Sequence, residues 1–328
     1  MNLSQPGEPS YSGIQTFQKV PFVLDPDELR GVDVVILGAP MDEMVTHRPG
    51  ARFGPREIRA ATDLGAEGWH MDLGVDPFAD LNVVDHGDAA VRPGDARFNH
   101  RSIREAVGRV VDSGAVPIVL GGDHSISFPN VAAVAEGVAS GSLACIHFDA
   151  HTDTATENYE VEWSHGTPFR HLVDEGILAG PRLVQIGLRG WWPNPPEWEW
   201  ARGAGVRWHR MEKVIEEGID RVVDSALAEV SDADHLFLSV DIDVLDPAFA
   251  PGTGTPEPGG MSTRELLRAV RKIVSRRGLV GMDLVEVSPP YDHSGITSMA
   301  AHRTVLEAIS ALALHRSGRE ARPENPTG

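Results

Sequence analysis

Residues 144–153 read Ala-Cys-Ile-His-Phe-Asp-Ala-His-Thr-Asp, a short apolar run that ends in ionisable side chains. The apolar half, with its β-branched isoleucine, has the composition of a buried strand. A period of two then places Asp149, His151 and Asp153 on one side of the chain. Three such groups leaving the carboxyl end of a buried strand are costly if they are desolvated without partners. A cation is the simplest partner.

The design recurs further along. Residues 236–243 read Leu-Phe-Leu-Ser-Val-Asp-Ile-Asp, a second apolar strand whose alternate positions end in Asp241 and Asp243. A third stretch, Gly121-Gly122-Asp123-His124-Ser125, follows the apolar residues 116–120 directly. Its glycines let the backbone turn sharply and bring His124 back over the strand ends. Four carboxylates and two imidazoles thus reach one edge of a sheet, the edge at which open α/β sheets bind ligands. Two ions roughly 3.5–4 Å apart, bridged by shared carboxylates, use such a set better than one ion does. Oxygen-rich ligands with imidazole and no thiolate suit Mn²⁺ better than structural Zn²⁺. The competing reading, strand-end carboxylates that cap helices or line a wet loop, serves for one Asp-x-Asp but poorly for three concurring segments.

Outward from these motifs, apolar strands alternate with helical patterns. Strands are expected near residues 34–37, 81–84, 116–120, 143–148, 183–186, 206–208, 236–240 and 279–285. That rhythm predicts an α/β fold, a three-layer αβα sandwich around a mostly parallel sheet of about eight strands. The helix before the last strand shows its boundaries in the sequence. Ser262 and Glu265 form a capping box, Leu266, Leu267, Val270, Ile273 and Val274 make an apolar stripe, and Gly278 closes the end. No internal repeat or linker divides the 328 residues, so the expectation is a single domain over 1–328, with an N-terminal extension (1–30) and a flexible C-terminal tail (316–328).

A net charge of −19 argues against nucleic acid or an anionic membrane as partner and mildly favours a cationic substrate. The one cysteine, Cys145, lies in a strand and has no internal partner, which suits a reducing cytoplasm. No secretory signal or membrane-length apolar run is evident, so a soluble cytoplasmic protein is expected.

At this point the motifs resemble a family. His124 in Gly-Gly-Asp-His, Asp149-Ala-His151-Thr-Asp153, and Ser239-Val-Asp241-Ile-Asp243-Val-Leu-Asp246-Pro247 look like the three signatures of the ureohydrolases, the arginase and agmatinase family. The resemblance runs from about Gly31 to the last helix. It implies a binuclear manganese hydrolase that cleaves a guanidino compound to an amine and urea. One Mn²⁺ would be held by His124, Asp149, Asp153 and Asp241, the other by His151, Asp149, Asp241 and Asp243, with Asp149 and Asp241 bridging. Ni²⁺ or Co²⁺ would accept the same ligands. Two cations sharing a water lower its pKa, and Asp153 would orient that water and carry a proton.

His165, in Trp-Ser-His-Gly-Thr-Pro-Phe, matches the family histidine thought to shuttle protons, and it is also a candidate substrate contact; a loop-to-helix junction is the alternative. Glu286, at the end of the last strand, suits bidentate pairing with a guanidinium, although a cap or ion pair would explain it too. His147 reads as a satisfied core histidine, Asp246 as a turn former and Asp123 as a support for the site. The loop with Arg48, Arg52 and Arg56 matches a segment near the family's substrate entrance, though loop packing explains those arginines.

Substrate identity is carried more weakly. Residues 156–163 lack the Ser-Gly-Asn-x-His pattern of arginases, and their glutamates suit a cationic tail, so agmatine is preferred. Asn158 in this loop is a candidate substrate contact. The same wording also resembles the guanidino-acid amidinohydrolases of the guanidinobutyrase, guanidinopropionase and proclavaminate types, for which Arg189 could bind a carboxylate. Two further readings are a formimino-glutamate hydrolase of the same fold and a non-catalytic subunit of a mixed oligomer. Trp191, Trp192, Trp198, Trp200 and Trp208 crowd one stretch, as a lid, a subunit contact or a packed loop. By family analogy a homo-oligomer, trimer or hexamer, is expected.

Overall fold

The computed structural model describes residues 10–61, 68–138 and 142–319. All eight expected strands form: β1 (Val34–Ala39), β2 (Val83–Asp88), β3 (Val116–Gly121), β4 (Leu143–Phe148), β5 (Leu183–Leu188), β6 (Arg207–Arg210), β7 (His235–Asp241) and β8 (Gly281–Val285). They make one sheet in the order β2-β1-β3-β8-β7-β4-β5-β6, and every pairing is parallel rather than merely most of them. β2 begins two residues later than expected, because a short helix through Asp80 uses Leu81 as its C-cap.

The strands alternate faces as a two-residue period requires. Val34, Ile36, Ile118, Ile146, Leu238 and Leu284 join one core, whereas Leu37, Val119, Cys145, Phe237 and Val285 join the other. The helices are α1 (Gly54–Ala60), α2 (Pro77–Asp80), α3 (Ala96–Asp112), α4 (Ser127–Gly137), α5 (Pro168–Asp174), α6 (Pro195–Ala204), α7 (Met211–Glu217), α8 (Ile219–Glu229), α9 (Thr263–Arg277) and α10 (Ile296–Ser317). The first core draws on α1 and α7 to α10, the second on α3 to α6, which gives the expected three layers.

In α9, Ser262 Oγ accepts from the Glu265 N–H at 3.3 Å and Glu265 answers from the Ser262 N–H at 2.8 Å; Gly278 ends the helix at φ 65°. The described part of the N-terminal extension packs on the outer strand. Phe22 bridges to Asp85 in β2, and the Phe17 ring stacks on His302 of α10 at 4.3 Å. At the other end α10 stays helical through Ser317, with Arg316 paired to Asp33 and Arg319 to Asp80. The expected flexible tail therefore does not begin at Arg316; its residues from 320 on, like residues 1–9, lie outside the described ones.

Sheet order is what assembles a site. Inserting β8 between β3 and β7, with β4 beyond, sets the carboxyl ends of these four strands side by side. His124 follows β3, Glu286 follows β8, Asp241 ends β7, and Asp149 follows β4.

Candidate metal centre

His124 Nδ1 lies 3.1 Å from Asp149 Oδ2, 2.8 Å from Asp153 Oδ2 and 3.2 Å from Asp241 Oδ2. His151 Nδ1 lies 3.3 Å from Asp149 Oδ1 and 3.1 Å from Asp243 Oδ2. The six residues thus divide into a four-donor group (His124, Asp149, Asp153, Asp241) and a three-donor group (Asp149, His151, Asp243). Asp149 belongs to both, offering one oxygen to each. Asp241 offers Oδ2 to the first group, and its Oδ1 accepts the Asp243 N–H at 2.7 Å.

Local backbone geometry aims these groups. Asp153 sits at φ 49° and Glu286 at φ 65°, left-handed conformations that cost a non-glycine residue about 1–2 kcal/mol. At Gly122 a Cβ would lie 1.8 Å from the Met41 carbonyl oxygen, so only glycine makes the turn that returns His124 to the sheet edge.

The donor set carries more negative charge than its burial tolerates. Burial pushes Asp241 well above the usual carboxylate range, with the charges of Asp243 and Asp149 adding to it. Burial also acts to raise Asp149, but the imidazoles of His147, His124 and His151 hold it well below. His124 and His151 are driven well above 6.5 by the surrounding carboxylates against the effect of burial. Yet the fully buried His124 Nδ1 hydrogen-bonds to none of the three oxygens around it. An acceptor atom aimed into a ring of carboxylates, in a site short of positive charge, fits divalent cations.

Supporting contacts surround these groups. His124 Nε2 pairs with Ser239 Oγ at 3.1 Å, and Ser239 donates to the buried Asp283 at 2.7 Å. Asp283 also accepts from Ser127 and Asn130. His147, in β4 and wholly buried, pairs with Asp149 Oδ2 at 2.8 Å and with Gln185 Nε2 at 3.0 Å. Thr255 donates to Asp243 at 3.2 Å. Gln185 and Asp283 escape a reading of the sequence by motif, although a lone polar residue inside an apolar strand is a usable signal.

Beside the donor groups, Glu286 Oε1 accepts the His124 N–H and pairs with His165 Nδ1, each at 2.9 Å; Oε2 is buried and bare. Burial lowers the His165 pKa, but Glu286 lifts it to about 9. The Thr46 N–H, 3.2 Å from Nε2, opposes that protonation. Asp123 stands behind, accepting from Ser125 and Met44 N–H groups; burial and then Glu286 raise it to about 7.

Arg189 is a correction. Its guanidinium donates to the carbonyls of Gly187, Asp243, Val244, Leu245, Glu257 and Pro258, so it clamps the loop after β7 and is not free for a substrate carboxylate. Asn158 pairs by its backbone with Val161, and its buried Oδ1 is bare beside Gly166, next to His165. Asp246 accepts from the N–H groups of Ala248, Gly259 and Gly260, a turn former as expected. Arg52 is held by Asp42, whereas Arg48 lies over the Tyr291 ring at 5.1 Å. The tryptophans divide: Trp198 packs on Trp208 and Trp200 donates to Asp174, while Trp191 and Trp192 are 92% and 64% exposed.

Comparison with known proteins agrees with this geometry. A family model described as the arginase family matches residues 32–310. The chain is 43% identical over 310 residues to proclavaminate amidinohydrolase of Streptomyces clavuligerus, covering 94% of this chain and 96% of that protein. It is 40% identical over 284 residues to the mitochondrial agmatinase of Gallus gallus, covering 86% and 82%. The solved proclavaminate amidino hydrolase from Streptomyces clavuligerus superposes with a TM-score of 0.87 at 41% identity, covering 94% of this chain and all of that one.

Proposed function

This chain belongs to the arginase family, hydrolases of amidino carbon–nitrogen bonds, and from that premise we propose that it cleaves agmatine to putrescine and urea with two Mn²⁺ ions. The observation that carries the guanidino head is Glu286 Oε2, a buried carboxylate oxygen without a partner, on a side chain whose other oxygen accepts the N–H of the donor residue His124. A planar guanidinium answers such an acceptor with charge-assisted hydrogen bonds. Support for a cationic tail comes from Glu197, a half-buried carboxylate whose pKa is raised by burial and then by the charge of Asp153. Glu157, Glu160 and Glu162 add negative charge on the adjoining loop.

His124, Asp149, Asp153 and Asp241 would hold one divalent ion and Asp149, His151 and Asp243 another, and such ions would supply Lewis acidity that brings the pKa of a water toward neutrality. Around them the protein's residues have separate tasks. Glu286 fixes the guanidinium plane, so that its carbon faces the incoming oxygen. Asp153 would orient that water and take one of its protons as the water oxygen bonds to the guanidinium carbon. The carbon–nitrogen bond to the alkyl amine then breaks, and the proton passes to the departing nitrogen, with His165 exchanging protons with solvent. The oxygen stays on carbon, and release of its remaining proton by way of His165 leaves neutral urea.

A second reading, a guanidino acid as substrate, is favoured by Arg48, which makes no ion pair among the described residues, and by similarity to proclavaminate amidinohydrolase. A mixed-oligomer subunit without activity fits less well, since all six donors are in place. The proposal extends to a cytoplasmic homo-oligomer, for which mass measurement in solution is the check. No helix among the described residues is long and apolar enough to cross a membrane.

The deciding experiment is urea release from agmatine, 4-guanidinobutyrate, 3-guanidinopropionate, arginine and guanidine, with Mn²⁺ and then Ni²⁺. Agmatine is expected to lead, with Glu197→Gln lowering its kcat/KM and Arg48→Met leaving it intact. A lead for either guanidino acid, with loss in Arg48→Met, moves the conclusion to the second reading. Formamide release from formimino-glutamate, with no urea from any compound, defeats both.

A further inference from the structure

His147 is not needed by the proposed chemistry, yet its ring lies deep in the site. It is completely buried, tilts over Phe169 at 4.1 Å and meets the His124 ring edge at 4.9 Å. With His124 and Asp149 it forms a group close enough to hold a metal ion itself. Whether it does depends on which nitrogen carries the proton.

The neighbouring strand settles that. Gln185 in β5 is the register partner of His147 in β4. Gln185 Nε2 lies 2.6 Å from the Thr152 carbonyl oxygen and 3.0 Å from His147 Nδ1. A carbonyl oxygen only accepts, so the atom facing Thr152 must be the amide nitrogen; the reversed amide would set two oxygens against each other. That nitrogen is then the donor toward His147 Nδ1. Nδ1 must accept, and the proton is left on Nε2, 2.8 Å from Asp149 Oδ2. Asp149 Oδ1, meanwhile, accepts the His151 N–H at 2.6 Å.

We infer that Gln185 is a tautomer lock: it holds the His147 proton on Nε2, which keeps His147 out of the coordination shell and makes it a hydrogen-bond donor to the carboxylate shared by both donor groups. His147 is on this account a positioning residue. Its N–H fixes the orientation of Asp149, so that one oxygen serves each donor group. The hydrogen bond also draws charge from Oδ2, tempering a ligand that would otherwise bind one cation too unevenly.

The inference rests on Asp149 as a ligand shared by two cations, and wild-type stoichiometry tests that part separately: fewer than two Mn²⁺ per chain removes the premise and not the tautomer. The tautomer is read in the full-length, metal-free protein with ¹⁵N-labelled histidine, where His147, assigned by its loss in His147→Phe, is expected as Nε2–H. Gln185→Glu, which turns the donor into an acceptor, is expected to move the proton to Nδ1. Mn²⁺ titration of folded His147→Phe is expected to give binding weakened about 10- to 100-fold, the range for lost partners of metal ligands. A wild-type His147 found as Nδ1–H overturns the inference whatever the variants do. So does a folded His147→Phe that binds two Mn²⁺ with affinity within about twofold of wild type.

Discussion

His124 and Asp283 are joined through one hydroxyl: Ser239 Oγ lies 3.1 Å from His124 Nε2 and 2.7 Å from Asp283 Oδ1, all three groups being fully buried. The imidazole can thus keep Nδ1 unprotonated for a cation while Nε2–H is held from behind. Ser239→Ala strands both the imidazole N–H and one carboxylate oxygen. Unfolding in urea should show a loss of about 1–3 kcal/mol. Mn²⁺ affinity should fall about 10- to 100-fold. A variant as stable as wild type that binds Mn²⁺ equally well shows the hydroxyl to be a bystander.

Removing metal should destabilise the protein, because the carboxylates of the two donor groups then face one another with only imidazoles between them. A ligand at about 1,000 times its Kd contributes about 4 kcal/mol. For a domain of this size that corresponds to a fall in Tm on the order of 10 °C. Differential scanning calorimetry before and after chelation, then after Mn²⁺ is restored, measures it. An unchanged Tm means that the cluster is already neutralised by protons and gains nothing from cations.

Much of this is legible in the sequence, and the reason is periodicity. Asp149, His151 and Asp153, like Asp241 and Asp243, show their direction because alternate residues share a side. The Ser262 to Gly278 helix shows both ends because caps are local chemistry. What stays hidden depends on which strands become neighbours. Nothing near Gln185 says that β5 will lie beside β4, and nothing near Asp283 says that β8 will be inserted between β3 and β7. Spacing gives a side of the chain and not the direction of each oxygen, so it cannot say which oxygen of Asp149 serves which donor group.

Gly254 should matter to the guanidino head. A Cβ there would stand 3.0 Å from Glu286 Oε2 and 3.3 Å from the Arg48 carbonyl oxygen. Gly254→Ala would therefore crowd the bare Glu286 Oε2 while meeting no metal donor atom directly. Mn²⁺ stoichiometry should be unchanged while kcat/KM falls about tenfold or more, as small misplacements of substrate do. Steady-state urea release with metal analysis separates the two, and unaltered kinetics would mean the guanidinium lies elsewhere.

The His165–Glu286 pair gives stability a defined pH dependence. Burial lowers the His165 pKa, but Glu286, with the charges of Asp153 and Asp123 adding to it, more than reverses this and carries it from 6.5 to about 9. Because the folded value exceeds the unfolded one, the stabilisation is complete below the unfolded pKa and disappears as pH rises through about 9. Between about pH 6 and pH 10 the metal-free wild type should lose more stability than Glu286→Gln, by at most roughly 3 kcal/mol. Urea unfolding at both pH values tests the sign, and parallel losses in the two proteins would show that the pair is not charged.

Arg189 looks in the sequence like a carboxylate receptor, and its surroundings make it a clamp. Its guanidinium reaches six backbone carbonyls, among them that of Asp243, a candidate metal donor. A lysine has three donors on one atom and cannot span that set, so Arg189→Lys should cost about 2–4 kcal/mol in urea unfolding. Kinetics distinguish the two roles. A clamp positions Asp243 whatever the substrate, so agmatine and 4-guanidinobutyrate should lose kcat/KM by the same factor. Loss confined to the guanidino acid would mean that the loop opens in solution and releases the guanidinium. Because opening would leave the carbonyls of the buried residues Gly187, Asp243, Val244 and Leu245 without their donor, the equal loss is the expected result.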